Sequence, residues 1–270
     1  MTLPNFVIIG AAKAATTSLY HYLRQHPDVY MSPVKEPAYF AATPVIGTRD
    51  DYERLFAGVT TERAIGEASP QYLNDVEAPA RIDADLPDVR LIVSLRNPAD
   101  RAYSSYLGRL AGGTERRRVD EAMRRGTYYF ESSLYHAPLS RYLARFGRAR
   151  IKVMLFDDIV ANPRAAVQDA CGFLGIAPDF TFALAERHGV AVAPRSIAAN
   201  AAYWKTVDAV RARLPVRLRD TGLAASARRV FLREPDPLPA ALRARLLEDF
   251  RADIVATEAL IGRSLAHWLA

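Results

Sequence analysis

Phe6-Val7-Ile8-Ile9-Gly10-Ala11-Ala12-Lys13-Ala14-Ala15-Thr16-Thr17-Ser18-Leu19-Tyr20 carries three kinds of local structure in fifteen residues. The apolar run Phe6 to Ile9 suits a strand buried on both faces, the small residues after it suit a turn, and Leu19, Tyr20 and Leu23 fall at helical spacing. Strand, turn and helix recur further along the chain. Leu91-Ile92-Val93-Ser94-Leu95 ends at Arg96-Asn97-Pro98, with Pro98 placed to open the helix that carries Tyr103, Tyr106 and Leu107. Ile151 to Phe156 reads as a third buried strand, followed by Asp157-Asp158 and a helix from about Pro163 to Leu174. Units of this kind predict an α/β fold with a mostly parallel central sheet flanked by helices.

Outside these units, helical stretches are expected around Tyr52 to Phe56, Val76 to Ile82 and Leu134 to Phe146. From Phe180 to Arg233 the pattern is weak and interrupted by Pro194 and Pro215, which predicts loops and short helices. Pro237 and Pro239 introduce a periodic last helix with Leu242, Leu246, Phe250, Ile254 and Leu260 on or near one face. A chain of 270 residues, half of them apolar, suffices for one substantial core, so a single domain over 1–270 is expected.

Cys171 is the only cysteine, which excludes an intrachain disulfide and a multi-cysteine metal site. The five histidines, His21, His26, His136, His188 and His267, lack metal-ligand spacing, and no metal is expected. Neither a signal peptide nor an apolar run of the roughly 18 residues needed to span a membrane is visible, so a cytoplasmic protein without a membrane span is expected. The formal charge of +6 rests mostly on Arg scattered along helical patterns. With no segment gathering basic and stacking aromatic residues, nucleic-acid binding is not expected.

The turn from Gly10 to Ser18 has the chemistry of an anion site. Free N–H groups at a helix start favour negative charge, small side chains let the backbone approach, and Lys13, Thr16, Thr17 and Ser18 add donors. Capping of the helix by Thr16 to Ser18 is the plainer alternative. The Walker pattern places Gly-Lys-Ser/Thr at the end of its loop, whereas Lys13 here precedes two alanines.

The run from Phe6 to Phe40, FVIIGAAKAATTSLYHYLRQHPDVYMSPVKEPAYF, resembles the opening of bacterial sulfotransferases related to the heparan sulfate sulfotransferases. These transferases have a P-loop-like fold and take the sulfuryl group from 3′-phosphoadenosine-5′-phosphosulfate (PAPS), leaving 3′,5′-phosphoadenosine (PAP). The resemblance implies that Lys13, Ala14, Ala15, Thr16, Thr17 and Ser18 bind the 5′-phosphosulfate, with Lys13 neutralising charge on the departing group. It also implies that Arg96, at a strand end, and Ser104, eight residues later, hold the 3′-phosphate. The two anion pockets are then expected about one adenosine apart. Family members usually have Gly where this chain has Ala15. If the loop needs a positive φ there, a Cβ costs about 1 kcal/mol; the expectation adopted is that the loop enters the helix at Ala15 with ordinary φ.

By the same resemblance Glu36 stands at the general base, and Lys35 beside it is a candidate for touching cofactor or acceptor. Ser69 and Tyr72, in a segment that lines the family's cleft, are candidate acceptor contacts. Ala38 and Ala68 replace a His and, in some carbohydrate enzymes of the family, a Lys, so acceptor specificity is expected to differ. The acceptor class left open is a carbohydrate, a lipid or a small natural product bearing a hydroxyl or amine. A P-loop-type small-molecule kinase and a non-catalytic nucleotide- or anion-binding relative are the competing readings.

Overall fold

A computed structural model describes residues 2–184, 192–213 and 232–270. The first half of the chain runs β1 (Phe6–Gly10), α1 (Thr16–Leu23), β2 (Val29–Met31), α2 (Arg49–Arg54), β3 (Ala64–Ala68), α3 (Ala78–Asp85), β4 (Arg90–Leu95) and α4 (Pro98–Ala111). It continues with α5 (Val119–Ala122), α6 (Tyr128–Glu131), α7 (His136–Phe146), β5 (Ile151–Leu155), α8 (Phe156–Ala161) and α9 (Pro163–Leu174). The remaining elements are β6 (Ala193–Pro194), α10 (Ile197–Arg213), β7 (Leu232–Arg233) and α11 (Ala240–Ile261). By packing, the chain divides into two compact units, each drawn from non-contiguous segments.

The first unit, Met1–Pro98, Leu134–Gly189 and Phe250–Ala270, holds a five-stranded sheet in the order β2-β3-β1-β4-β5, every pairing parallel. β1 is its centre, and all five of its residues are buried, which is why its sequence is a continuous apolar run rather than an alternating one. One face of the sheet packs Phe6, Ile8, Ile92 and Met154 against Leu19, Tyr20 and Leu23 of α1 and Val167, Ala170 and Cys171 of α9. Gly66 is required by this packing, because a Cβ there would lie 2.1 Å from the Phe6 ring.

β1, β4 and β5 stand where the apolar runs place them, and α9 matches its expected range. β2 and β3 were not expected. β2 is three residues long, too short to display a period, and β3 reads Ala-Ile-Gly-Glu-Ala, with a carboxylate inside a fully buried strand. Phe156, read as the end of a strand, instead begins α8, and Asp157 and Asp158 occupy its first turn. Asp157 accepts from Trp268 Nε1 at 2.9 Å and Asp158 pairs with Arg263 at 2.6 Å, so both carboxylates secure the C-terminal segment.

The second unit, Ala99–Ser133 and Val190–Asp249, contains most of α4, the short helices α5 and α6, α10, and an antiparallel pairing of β6 with β7. The short helices expected after Phe180 are corrected at α10, which is one helix of 17 residues. Its Ala198, Ala199, Ala201 and Ala202 are strong helix formers that leave no apolar stripe to read. Ser196 Oγ accepts from Ala199 N, and Asn200 Nδ2 and Trp204 Nε1 donate to Leu110 O and Ala111 O, each at 2.9 Å. The loops expected at 185–191 and 214–231, with His188 and Pro215, lie outside the described residues. No helix among the described residues is long and apolar enough to cross a membrane.

Candidate active site

The site opens where β1 and β4 end. These strands are neighbours, with Gly10 opposite Val93, so the turn after one and the tip of the other emerge side by side. Gly10 has a φ of 155° and lies so close to Leu73 that a Cβ would sit 2.7 Å from its Cβ. Ala11 N then donates to Ser94 O at 2.8 Å, tying the turn to β4. The first helical N–H to find an acceptor is that of Leu19, bonded to Ala15 O at 3.0 Å, and no side chain caps α1. The N–H groups of Thr16, Thr17 and Ser18 therefore keep the anion-binding character of a helix start. Ala14 differs from that expectation, because its N–H already donates to Ala11 O at 3.2 Å inside the turn.

Ala15 corrects a second expectation. Its φ of 66° and ψ of 15° are left-handed, as is the φ of 69° at Lys13. The turn needs these values because the chain must reverse between β1 and α1 within five residues, and a Cβ at such a position costs roughly 1–2 kcal/mol. Ala15 recovers part of that by packing its methyl group against the apolar cluster of Ile8 and Leu19.

Two cations border the turn. Lys13 is half-buried, and its ammonium is pushed below its ordinary pKa by burial first and by the Arg96 guanidinium second, with Glu36 opposing the shift and Lys35 adding to it. Arg96 donates through Nη1 to Lys13 O at 3.2 Å and lies over the Phe156 ring, 4.4 Å from its centroid. The expected separation of one adenosine between these residues is thus corrected: adjacent parallel strands place them in contact. The strand tip is held by Tyr135, which donates to Arg96 O at 2.8 Å, and by Asn97, which donates to Trp268 O at 2.9 Å. Ser104 is buried on α4, in the second unit.

Lys35 and Glu36 form an ion pair, and the Glu36 side chain is 44% exposed, open to an approaching molecule. Glu36 has a φ of 64° and Ala38 a φ of 53°, two left-handed residues in three. The backbone there is bonded to the strand below, Glu36 N donating to Ala68 O at 3.1 Å.

Ser69 and Tyr72 are fully buried, which corrects their expected place against an acceptor. Ser69 Oγ donates to Glu67 Oε2 at 2.7 Å and Tyr72 OH to Glu67 Oε1 at 2.8 Å, with Tyr52 OH a longer donor at 3.4 Å. Glu67 has no exposed surface, and burial raises its carboxyl to about 7 against the lowering effect of the three hydroxyls. Sequence reasoning passed over Glu67; a carboxylate flanked by Gly66 and Ala68 in a stretch without other charge was the available signal.

The donor set fits a phosphate-bearing group: helix-start N–H groups, an ammonium and a guanidinium on one side, a carboxylate on a loop opposite. Among the described residues no three His, Cys, Asp or Glu side chains gather as a metal site would require.

Comparison with known proteins agrees with this chemistry. Residues 34–181 match the model of the sulfotransferase family. A sulfotransferase from Alicyclobacillus acidocaldarius, known from its crystal structure, is similar over 100% of both chains, with 31% identity and a TM-score of 0.77. Heparan sulfate glucosamine 3-O-sulfotransferase 3B1 of Homo sapiens is 33% identical over 190 residues, covering 66% of this chain and 46% of that protein. The membrane-associated sulfotransferase kil1 of Dictyostelium discoideum is 36% identical over 109 residues, 39% of this chain and 23% of its own length. The chain thus spans less than half of each of these two curated relatives. The match over more than half its residues, and the likeness in fold and sequence to a solved bacterial member, show that the chain belongs to the sulfotransferase family.

Proposed function

We propose that the chain transfers a sulfuryl group from PAPS to a hydroxyl or amine of a carbohydrate, lipid or small natural-product acceptor. The observation that carries the reading is the meeting of Lys13, Arg96 and the open start of α1, with the charge of the loop carboxylate Glu36 acting on the same ammonium. PAPS supplies a sulfuryl group already activated on a phosphate leaving group. Glu36 takes the acceptor proton as the new O–S or N–S bond forms, while the S–O bond to the departing phosphate breaks. Lys13 and the N–H groups of Thr16 to Ser18 meet the negative charge left on that phosphate, and PAP remains. Arg96 supplies a planar fork for further phosphate oxygens. Lys35 orients Glu36 and must release it for the carboxylate to accept a proton.

The acceptor class follows less directly. The human relative's name states action on heparan sulfate glucosamine, which supports a saccharide hydroxyl here. Ala38 and Ala68 are both fully buried, so neither presents a side chain to an acceptor.

The test is calorimetric binding of PAP set beside 5′-AMP and beside ATP with Mg²⁺. The proposal expects PAP to bind at least tenfold more tightly than either, and Lys13→Ala to weaken it strongly. Preference for ATP with Mg²⁺ would overturn the assignment in favour of a kinase, and tight PAP binding without transfer to any acceptor would identify a non-catalytic relative.

A further inference from the structure

Glu36, whose charge acts on the Lys13 ammonium, sits on backbone that would not hold its shape unaided. Glu36 and Ala38 both carry positive φ, and neither is glycine. A left-handed residue persists only where the surroundings over-determine it, so the bonds that reach this loop decide whether the carboxylate stays in place. Three backbone N–H groups of the loop are bonded downward. Glu36 N goes to Ala68 O, Ala38 N to Ser69 Oγ at 3.1 Å, and Phe40 N to Tyr72 OH at 3.3 Å.

Two of those acceptors are hydroxyls, and a hydroxyl turns freely about its C–O bond unless its own hydrogen is committed. Both hydrogens are committed to one group. Ser69 Oγ donates to Glu67 Oε2 and Tyr72 OH to Glu67 Oε1, so the two carboxylate oxygens each point one hydroxyl's lone pairs up at the loop. The resulting relays run from Glu67 through Ser69 to Ala38 and from Glu67 through Tyr72 to Phe40, holding the left-handed segment at its C-terminal end, while Glu36 N on Ala68 O holds the other end. Tyr142 OH, donating to Tyr72 O at 2.9 Å, fixes the backbone of the second relay from α7.

We propose that Glu67 is a positioning residue: a fully buried carboxylate that orients the Ser69 and Tyr72 hydroxyls, which in turn hold the loop so that Glu36 faces the transferred group. The inference rests on Glu36 being the base and adds the buried device that keeps it there. A carboxylate is the one side chain that serves both relays at once, because both of its oxygens only accept. Adding a proton to Glu67 makes one oxygen a donor, and it then turns a hydroxyl away or competes with a loop N–H for its lone pair. Positioning should therefore weaken as Glu67 gains a proton. The groups facing Glu67 are Tyr52 from α2, Ser69 and Tyr72 after β3, Tyr142 from α7 and, from the loop, Glu36, whose charge opposes ionisation of Glu67.

Glu67→Gln keeps the shape but supplies only one accepting oxygen, and its amide must donate to the other hydroxyl. The expected result is a kcat lowered tenfold to a hundredfold, KM for PAPS and affinity for PAP within threefold of the wild type, and loss of the part of the kcat–pH profile that rises through neutral pH. Ser69→Ala and Tyr72→Phe each remove one relay and should lower kcat by a smaller factor, with the double variant approaching Glu67→Gln. Glu36→Gln is run in parallel. If it turns over normally, the base assignment fails and the present inference falls with it. If it is slow while Glu67→Gln and the double variant keep wild-type kcat and pH profile, the positioning role alone is overturned. Loss of PAP binding together with kcat in all three relay variants would likewise overturn it, leaving Glu67 a support of the fold.

Discussion

Ala15 shows how one methyl group bears on a binding turn. Its backbone is left-handed, the conformation for which glycine is suited, and the cost of its Cβ is only partly offset by packing against the apolar core cluster. Ala15→Gly should therefore raise stability by about 0.5–1 kcal/mol, the steric relief exceeding the entropy that glycine adds to the unfolded chain. Urea unfolding of the two proteins checks this, and a loss of stability would mean that the methyl contact outweighs the strain. Glu36→Gln addresses the chemistry at the same scale: turnover should fall by about 10²–10⁴ with PAP affinity unchanged. Lys13 and Arg96 were singled out in sequence by a turn and a strand end, and Glu36 by the family resemblance alone. The backbone state of Ala15 and the role of Glu67 were not legible there, since a φ angle and a buried hydroxyl pair arise only when distant segments meet.

At the scale of elements, the site exists because β1 and β4 are adjacent and parallel, so that both carry their C-terminal ends to one edge. Three of the five strands were readable from apolar runs; β3 was hidden by the features that make it useful, a glycine beneath the Phe6 ring and a glutamate aimed at hydroxyls. Gly66→Ala puts a methyl group within 2.1 Å of that ring at the centre of the sheet. It should destabilise the protein by about 1–3 kcal/mol through overpacking, measurable by urea titration. A neutral result would mean that β1 and β3 part easily, and that the site is less rigidly seated than the packing indicates. α10 was read as short pieces because its alanines favour a helix without marking a face.

For the whole molecule, the buried Glu67 ties stability to pH in a direction opposite to that of most carboxylates. Its carboxyl is raised to about 7 from an ordinary 4.5, so the folded protein keeps a proton that the unfolded chain releases. This contribution is full below about pH 4.5 and declines as pH rises through 7, by up to about 3 kcal/mol. Glu115, lowered to about 2 chiefly by its bond to Arg117, acts the other way and loses its contribution only in acid. Subtracting the stability of Glu67→Gln from that of the wild type at each pH isolates the first effect. The difference should fall between pH 4.5 and 7, and a flat difference would mean that Glu67 is solvated or paired in a way the fold does not show.

The most direct test of the central claim is single-turnover transfer of labelled sulfur from PAPS to a panel of saccharide, lipid and phenolic acceptors, followed in the wild type and in Glu36→Gln at saturating donor. The account predicts label on at least one acceptor class with release of PAP, and a rate constant about 10²–10⁴ lower in the variant. Equal rates in the two proteins, or donor bound without transfer to any acceptor, would contradict it.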